Sequence, residues 1–476
     1  MKTIALLAAL VTPFVAGCGS KDTIEQLQDP ATCMECHPKH VQQWSGSMHA
    51  YASDDPVFLA MNKRGQRETN GALGTFCIQC HAPMAVKLGL TTADNAKDFD
   101  PAALPATARG ITCYFCHNVA SVGDAHNNGL ALAMDDTMRG GAQNPVDSPA
   151  HSSAYDPTMA SATNKSTMCG SCHDVVTPRG VALERTFTEW QGTIFAHEDP
   201  VNMLPLTCSK CHMNPSKDVI ADKPGLNVPS RDQGFHDHGF PAIDKAVTPF
   251  PQLQAQADGI DAILKPAIAI KGAKPLSGAQ PGGICLEPNQ LTVRMDTFGT
   301  GHMFPSGAAQ DRRAWLEVKA YDINGVVVFS SGDVPDGMDP EAIMDPNLDP
   351  NLVGFWDRTL KDDGTPAHFF WDVATYTSIL LKPPITLVAT ELGYDHSTTA
   401  KFPVVGALRT SIERITARIR ILPVAYSVLD QLIASGDLDP SIRAQMKVLD
   451  IPSGMAVWTK ATQSPVTFCN PFPSPP

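Results

Sequence analysis

Ten of the 13 cysteines obey one spacing, repeated five times. The copies are Cys33-Met34-Glu35-Cys36-His37, Cys77-Ile78-Gln79-Cys80-His81, Cys113-Tyr114-Phe115-Cys116-His117, Cys169-Gly170-Ser171-Cys172-His173 and Cys208-Ser209-Lys210-Cys211-His212. C-x-x-C-H is the attachment sequence of c-type haem. Its two thiols add to the haem vinyl groups as thioethers. The His that follows is then placed to ligate the iron, which makes His37, His81, His117, His173 and His212 the proximal ligands. A zinc ribbon pairs its C-x-x-C units, and five leave one unmatched; zinc also has no need of a His after each second Cys. A thioredoxin-like redox motif occurs once, in a βαβ setting. Disulfides between cysteines three apart would be strained and would leave the five His unexplained.

The elements that carry these motifs must be small. Successive motifs start 44, 36, 56 and 39 residues apart. Roughly forty residues per haem cannot build a conventional core for each unit. The porphyrins must therefore serve as the core, held between loops and short helices. An aromatic content of only 7% fits, because porphyrin replaces bulky side chains as apolar filler. Haems so crowded lie close together and form a path for electrons. The potential of each iron depends on its second axial ligand. Ten His remain for that role: His40, His49, His126, His151, His197, His236, His238, His302, His368 and His396. Met48 is the best-placed thioether alternative and would raise the potential.

Several segments resemble a known family. Trp44-Ser45-Gly46-Ser47-Met48-His49, followed by Asp55-Pro56-Val57-Phe58, is similar to the W-x-x-S-x-H segment after the first haem motif of many bacterial multihaem c-type cytochromes. Arg109-Gly110-Ile111-Thr112 resembles the approach to that family's third site. Cys169 to Val175 with Thr186-Phe187-Thr188-Glu189-Trp190, and Cys211-His212-Met213, match as well. The likeness covers roughly residues 31 to 240. It points to the broad group that includes the tetrahaem electron acceptor of hydroxylamine oxidoreductase. The resemblance implies that His49 and His151 are distal ligands. Phe235-His236-Asp237-His238-Gly239-Phe240 looks like the family's H-D-H turn, which implies a ligand in His236, His238 or both. Gly301-His302-Met303-Phe304-Pro305-Ser306-Gly307 matches a further motif of such proteins and adds His302. Those five would suffice for five irons. His126 and His197 are runners-up near the haem motifs. His40, His368 and His396 are expected to be solvated or structural.

The chain start reads as an export signal. Lys2 precedes a short apolar run, Ile4 to Val11, well below the roughly 20 residues of a membrane span. Val15-Ala16-Gly17-Cys18 resembles the lipobox of bacterial lipoproteins, which implies cleavage before Cys18 and acylation of that residue. An ordinary secretory signal is the alternative. Gly19 and Ser20, with no Asp after Cys18, favour the outer membrane by analogy with lipoprotein sorting.

Beyond about residue 255 the pattern changes. Lys271 to Gly283 is a Pro/Gly-rich connector. Leu291 to Met295 alternates with period two. Trp315 to Tyr321 and Val326 to Phe329 flank Asn324-Gly325 as a hairpin. Ile415, Ala417, Ile419 and Ile421 alternate with polar residues as a half-buried strand. Pro423 to Leu449 reads as two helices about a turn at Gly436 to Pro440. Cys285 and Cys469 bracket this part, as a disulfide or as two thiols. No G-x-S-x-G, H-E-x-x-H or phosphate loop is present, so no catalytic residue is assigned. The net charge of -13 argues against a nucleic-acid partner.

The expectation is an α+β protein with a lipoprotein signal (1–17), a pentahaem domain of short helices and loops (18–255) and a β-sandwich-like domain with terminal helices (256–476). Its five covalent haems would carry electrons from a redox protein or quinol-linked donor to an external or periplasmic acceptor. The alternative leaves one iron open, for oxidoreductase chemistry on a small nitrogen or sulfur compound.

Overall fold

The computed structural model describes residues 21–146, 148–156, 159, 166–197, 206–223, 225–271, 283–386 and 394–462. Cys18 and the lipobox, most of the connector and Cys469 lie outside them. Cys285 is disulfide-bonded. Among the described residues, no helix is long and apolar enough to cross a membrane. With 29% helix and 24% strand the fold is α+β.

The first half is built of short helices, and the haem motifs sit on them. Ile78–His81, Cys113–His117, Thr167–His173 and Cys208–His212 each carry a motif His at the C-terminal end. Two start on a threonine cap. The Thr112 and Thr207 hydroxyls accept from the amides of Phe115 and Lys210. Such caps satisfy amides that a one-turn helix leaves without an internal partner. The first motif lies between helices Pro30–Cys33 and Pro38–Ser45. Proline opens both, where its missing N–H costs nothing.

Among the described residues, the second half contains a two-stranded antiparallel sheet, Asp357–Leu360 with Thr375–Ser378, and two larger antiparallel ones. In one, Leu291–Asp296 lies between Ile284–Leu286 and Ser397–Phe402 and also pairs with Ala269–Ile270. In the other, Arg313–Tyr321 pairs with Val327–Ser331 and Val353–Phe355, and Arg414–Leu422 links it to Leu449–Thr459. Side chains 415–421 of Arg414–Leu422 alternate between buried and half-buried, whereas all six residues of Leu291–Asp296 are buried. Leu291, Val293 and Met295 from the first sheet share one apolar cluster with Leu316, Val318, Ile415, Ile419 and Ile421 from the second. On the opposite face Glu317 accepts from Arg418 at 2.9 Å and from Arg420 at 3.3 Å.

The halves are joined by packing. Helix Pro56–Glu68 places Val57 and Ala60 in a cluster with Trp371, Leu429 and Leu432. Arg67 adds a bidentate pair to Asp437 at 2.6 Å.

Candidate functional site

The motif helices surround one continuous cavity of about 2140 Å³. Nine of the ten motif cysteines and all five motif His line it. Divided by five, the volume is about 430 Å³ per motif, within the roughly 300–1,000 Å³ of a cofactor-sized pocket. So large a void beside close-packed sheets calls for a filler, because protein interiors are otherwise packed like crystals.

Imidazole pairs span this cavity. The ring centroids of His37 and His151 are 6.4 Å apart, those of His173 and His49 6.2 Å, those of His117 and His238 6.2 Å, and those of His212 and His302 6.4 Å. A metal–imidazole bond is about 2 Å, so one metal between two facing rings sets the centroids about 6 Å apart. The four spacings have that value within 0.2 Å of one another.

Backbone carbonyls orient most of these rings. Nδ1 of His37, His81, His117 and His212 meets the carbonyls of Ile220, Ala52, Arg139 and Pro241 at 2.6–3.1 Å. Nδ1 of His151, His238 and His302 meets those of Ser152, His236 and Met303 at 2.8–3.0 Å. A carbonyl accepts only from a protonated Nδ1, which fixes the tautomer and leaves the Nε2 lone pair for iron. Burial also favours the neutral ring that a ligand must be: it pushes His49 down to about 3 and His173 to about 4. These residues fit covalent haem with paired His ligands.

The fifth motif His differs. His81 stacks on Phe58, the rings 4.1 Å apart and 2° from parallel. Among the described residues, no second imidazole stands opposite His81 at the spacing of the other pairs. His236 also lines the cavity, and its backbone carbonyl accepts from Nδ1 of His238 at 2.8 Å. Asp237 makes the turn between them, its carboxylate accepting from the Gly239 amide at 2.7 Å. His40 packs edge-on against His238 at 4.7 Å. His396 is held between Asp395 and Asp296 at the sheet, away from the cavity.

The segments carrying the distal His are locked to the motifs. Gly110 has φ +61, and a Cβ there would lie 2.7 Å from the His49 carbonyl and 2.6 Å from that of Ala50. The following amide, Ile111, donates to the same His49 carbonyl at 2.9 Å. A residue without a side chain thus brings the third motif against the His49 segment. Gly170 likewise leaves room for Phe187.

His302 comes from the β-rich half. Its loop is held by Glu189, which accepts from the Met303 amide at 3.2 Å and the Ser306 hydroxyl at 2.6 Å. Thr186 accepts from the Gly307 amide at 3.0 Å. Sequence reasoning singled out the T-F-T-E-W segment without this role, since the contact spans more than a hundred residues. Phe58 lies in the Asp55-Pro56-Val57-Phe58 segment that carries the family resemblance, though without its role beside His81, and Arg312 has no local signal in the sequence. Arg312 pairs with Asp244 at 2.8 Å, and its Nε is buried without a partner.

The attachment thiols show which motifs adjoin. Cys33 contacts Cys113, Cys169 contacts Cys208, and Cys172 contacts Cys80. Cys116 is within electrostatic reach of Cys169 and Cys172. The spatial order is first, third, fourth, with the second and fifth both beside the fourth.

Comparison with known proteins agrees with this geometry. Residues 32–118 match the family model described as cytochrome c554 and c-prime. The fold is similar to that of a penta-haem cytochrome c552 from Thermochromatium tepidum, with a TM-score of 0.55 and 17% sequence identity, over 92% of this chain and 99% of that one. No curated protein matches. The family model thus covers the first three motifs, and the structural likeness, at 17% identity, shows a shared fold.

Proposed function

We propose that the chain carries five covalent haems and passes electrons along the connected series of their attachment sites. The observation that supports this most is the set of four imidazole pairs at 6.2–6.4 Å. A haem iron held at such a pair supplies one-electron chemistry and leaves no coordination site for substrate. The chain's residues fix potentials and spacing. The carbonyls set all of these imidazoles but His49 and His173, the thiols would tether each porphyrin, and Glu189 holds the His302 loop in place. The branched order gives the fourth site three neighbours, so the second and fifth sites are alternative ends of the series.

The β-rich half, in this reading, is part of the haem scaffold, because it delivers His302. Anchored through a lipid on Cys18, the protein would be a fixed station at the outer membrane, facing the periplasm or the cell surface. Its donor would be a redox protein or a quinol-linked enzyme and its acceptor periplasmic or external, as in anaerobic respiration or extracellular electron transfer. A group related to the acceptor of hydroxylamine oxidoreductase supports this by analogy.

A second reading is favoured by one observation: His81 faces Phe58 rather than an imidazole. An iron held there on one side would be open to a small nitrogen or sulfur compound. Protein-film voltammetry distinguishes the two. The carrier gives reversible waves integrating to five electrons and no catalytic current with nitrite, hydroxylamine, sulfite or tetrathionate. A catalytic current with any of these overturns the carrier reading in favour of the second.

A further inference from the structure

One arginine on the cavity wall is only half satisfied by the protein. Arg312 lines the cavity, and its side chain is 16% exposed. Nη2 donates to Asp244 Oδ2 at 2.8 Å, while Nε is buried without a partner. A guanidinium presents its N–H donors in a rigid fork and cannot shed its charge. A buried charged donor left unmatched costs more than a neutral one. The natural match for such a fork is a carboxylate, which accepts from two of its N–H groups side by side.

The neighbours of Arg312 tie it to one site. Its guanidinium lies against Gly307, where a Cβ would stand 3.5 Å from Nη2. Gly307 ends the Gly301-to-Gly307 segment that carries His302. The Arg312 amide donates back to the Ala308 carbonyl at 3.1 Å, which keeps the residue beside that loop. Asp244, its ion-pair partner, follows shortly after Pro241, whose carbonyl meets His212 Nδ1 at 2.8 Å. Ile243 and Phe304 join the same two segments in one apolar cluster. Arg312 thus bridges the segment that orients His212 and the loop that carries His302, and Asp244 and Gly307 line the cavity with it.

We propose that Arg312 binds a propionate carboxylate of the haem held between His212 and His302, and that its charge raises the potential of that iron. This rests on the reading of those two residues as axial ligands. The faces of a porphyrin are apolar, and its propionates are the groups that accept hydrogen bonds. The orphaned Nε is a donor on the cavity wall for one of them. A fixed positive charge beside the iron disfavours the ferric form, which carries one charge more than the ferrous. Asp244 holds the fork in place from the other side. As a negative charge it acts on the iron in the opposite sense.

The test uses the purified holoprotein and its variants. Haem content and the low-spin signal that His302→Ala removes are recorded first. If His302→Ala removes no such signal, the ligand reading fails, and this inference falls with it. If the signal is lost, a potentiometric titration followed by paramagnetic resonance gives the potential of that haem class in the other variants. Arg312→Gln should shift its ferric–ferrous equilibrium about tenfold toward ferric, a fall of about 59 mV for one electron, and leave the other classes in place. Asp244→Asn keeps an oxygen for Arg312 and should move the same class upward. Arg312→Lys keeps the charge but loses the fork. Its potential should stay near that of the wild type, while the resonance Raman difference spectrum shows a displaced propionate bending band. If Arg312→Gln does not retain its haems, Asp244→Asn and Arg312→Lys decide. An unchanged propionate band in Arg312→Lys, or a potential that moves in another class or in none, overturns the inference with the ligand reading intact.

Discussion

Removing the His302 imidazole is the sharpest test of how the two halves cooperate. Its centroid lies 6.4 Å from that of His212, with the planes 13° apart. His302→Ala deletes the only donor the β-rich half supplies to an iron among the described imidazole pairs. The fold should survive. The side chain's other contact is one hydrogen bond from Nδ1 to the Met303 carbonyl at 2.8 Å, worth about 1 kcal/mol. The Glu189 contacts that hold the loop do not involve the imidazole. The spectroscopic loss is set by counting. On the proposed reading the four pairs would make four of five irons bis-imidazole and low-spin, so the variant should retain three. Reduced His302→Ala should bind carbon monoxide at one more iron than the wild type, and added free imidazole should enter the vacated space and restore the low-spin signal. His396→Ala is the control, because His396 sits in the sheet with Asp395. An unchanged low-spin count in His302→Ala refutes the pairing with His212. So would loss of the signal belonging to a different pair.

Phe58→Ala should destabilise the protein by about 3–4 kcal/mol, the cost of emptying a buried aromatic site, and alter only the iron held by His81; a denaturant titration with parallel spectra checks both, and a loss below 1 kcal/mol would contradict the packing. Glu317→Ala strips the shared acceptor from Arg418 and Arg420 and should cost about 2 kcal/mol in the same assay, with haem spectra unchanged. Asp135 is held down to about 2, first by its side-chain bonds with Arg139. A depressed carboxyl contributes stability that is full above its unfolded value and is lost as pH falls through the folded one, here from about 4 towards 2. Circular dichroism should therefore show Asp135→Asn less sensitive to acid than wild type across that window, and identical acid curves would refute the role of this pair.

Much of the site was legible because covalent chemistry dictates local spacing. The five motifs need no tertiary knowledge, and the threonine caps at Thr112 and Thr207 are local as well. In the sheets, Ile415, Ala417, Ile419 and Ile421 alternate because one face is buried, and the strand runs Arg414–Leu422. The hairpin turn falls at Asn324-Gly325, where Gly325 has φ +78. The helices after Pro423 are Tyr426–Ala434 and Pro440–Gln445.

What spacing could not convey is which residues meet across the cavity. His236 and His238 are alike in sequence, yet of the two it is His238 that meets a motif imidazole, that of His117, at the pair spacing. Glu189 and Ser306 are 117 residues apart and meet only in the fold. The order of the motifs in space depends on thiol contacts such as Cys80 with Cys172, which sequence order does not predict. The unlike environment of His81 follows from Phe58 on a helix that also packs on the far half, and no local signal marks it.

The central claim is that five haems sit in this cavity and four of their irons lie between imidazole pairs. The direct measurement is a haem count per chain together with quantitative low-temperature paramagnetic resonance of the oxidised protein and carbon monoxide binding by the reduced one. The account predicts five haems, four bis-imidazole low-spin irons that ignore carbon monoxide, and one distinct iron held by His81. Fewer than five haems, or carbon monoxide bound at an iron held by His37, His117, His173 or His212, would contradict it.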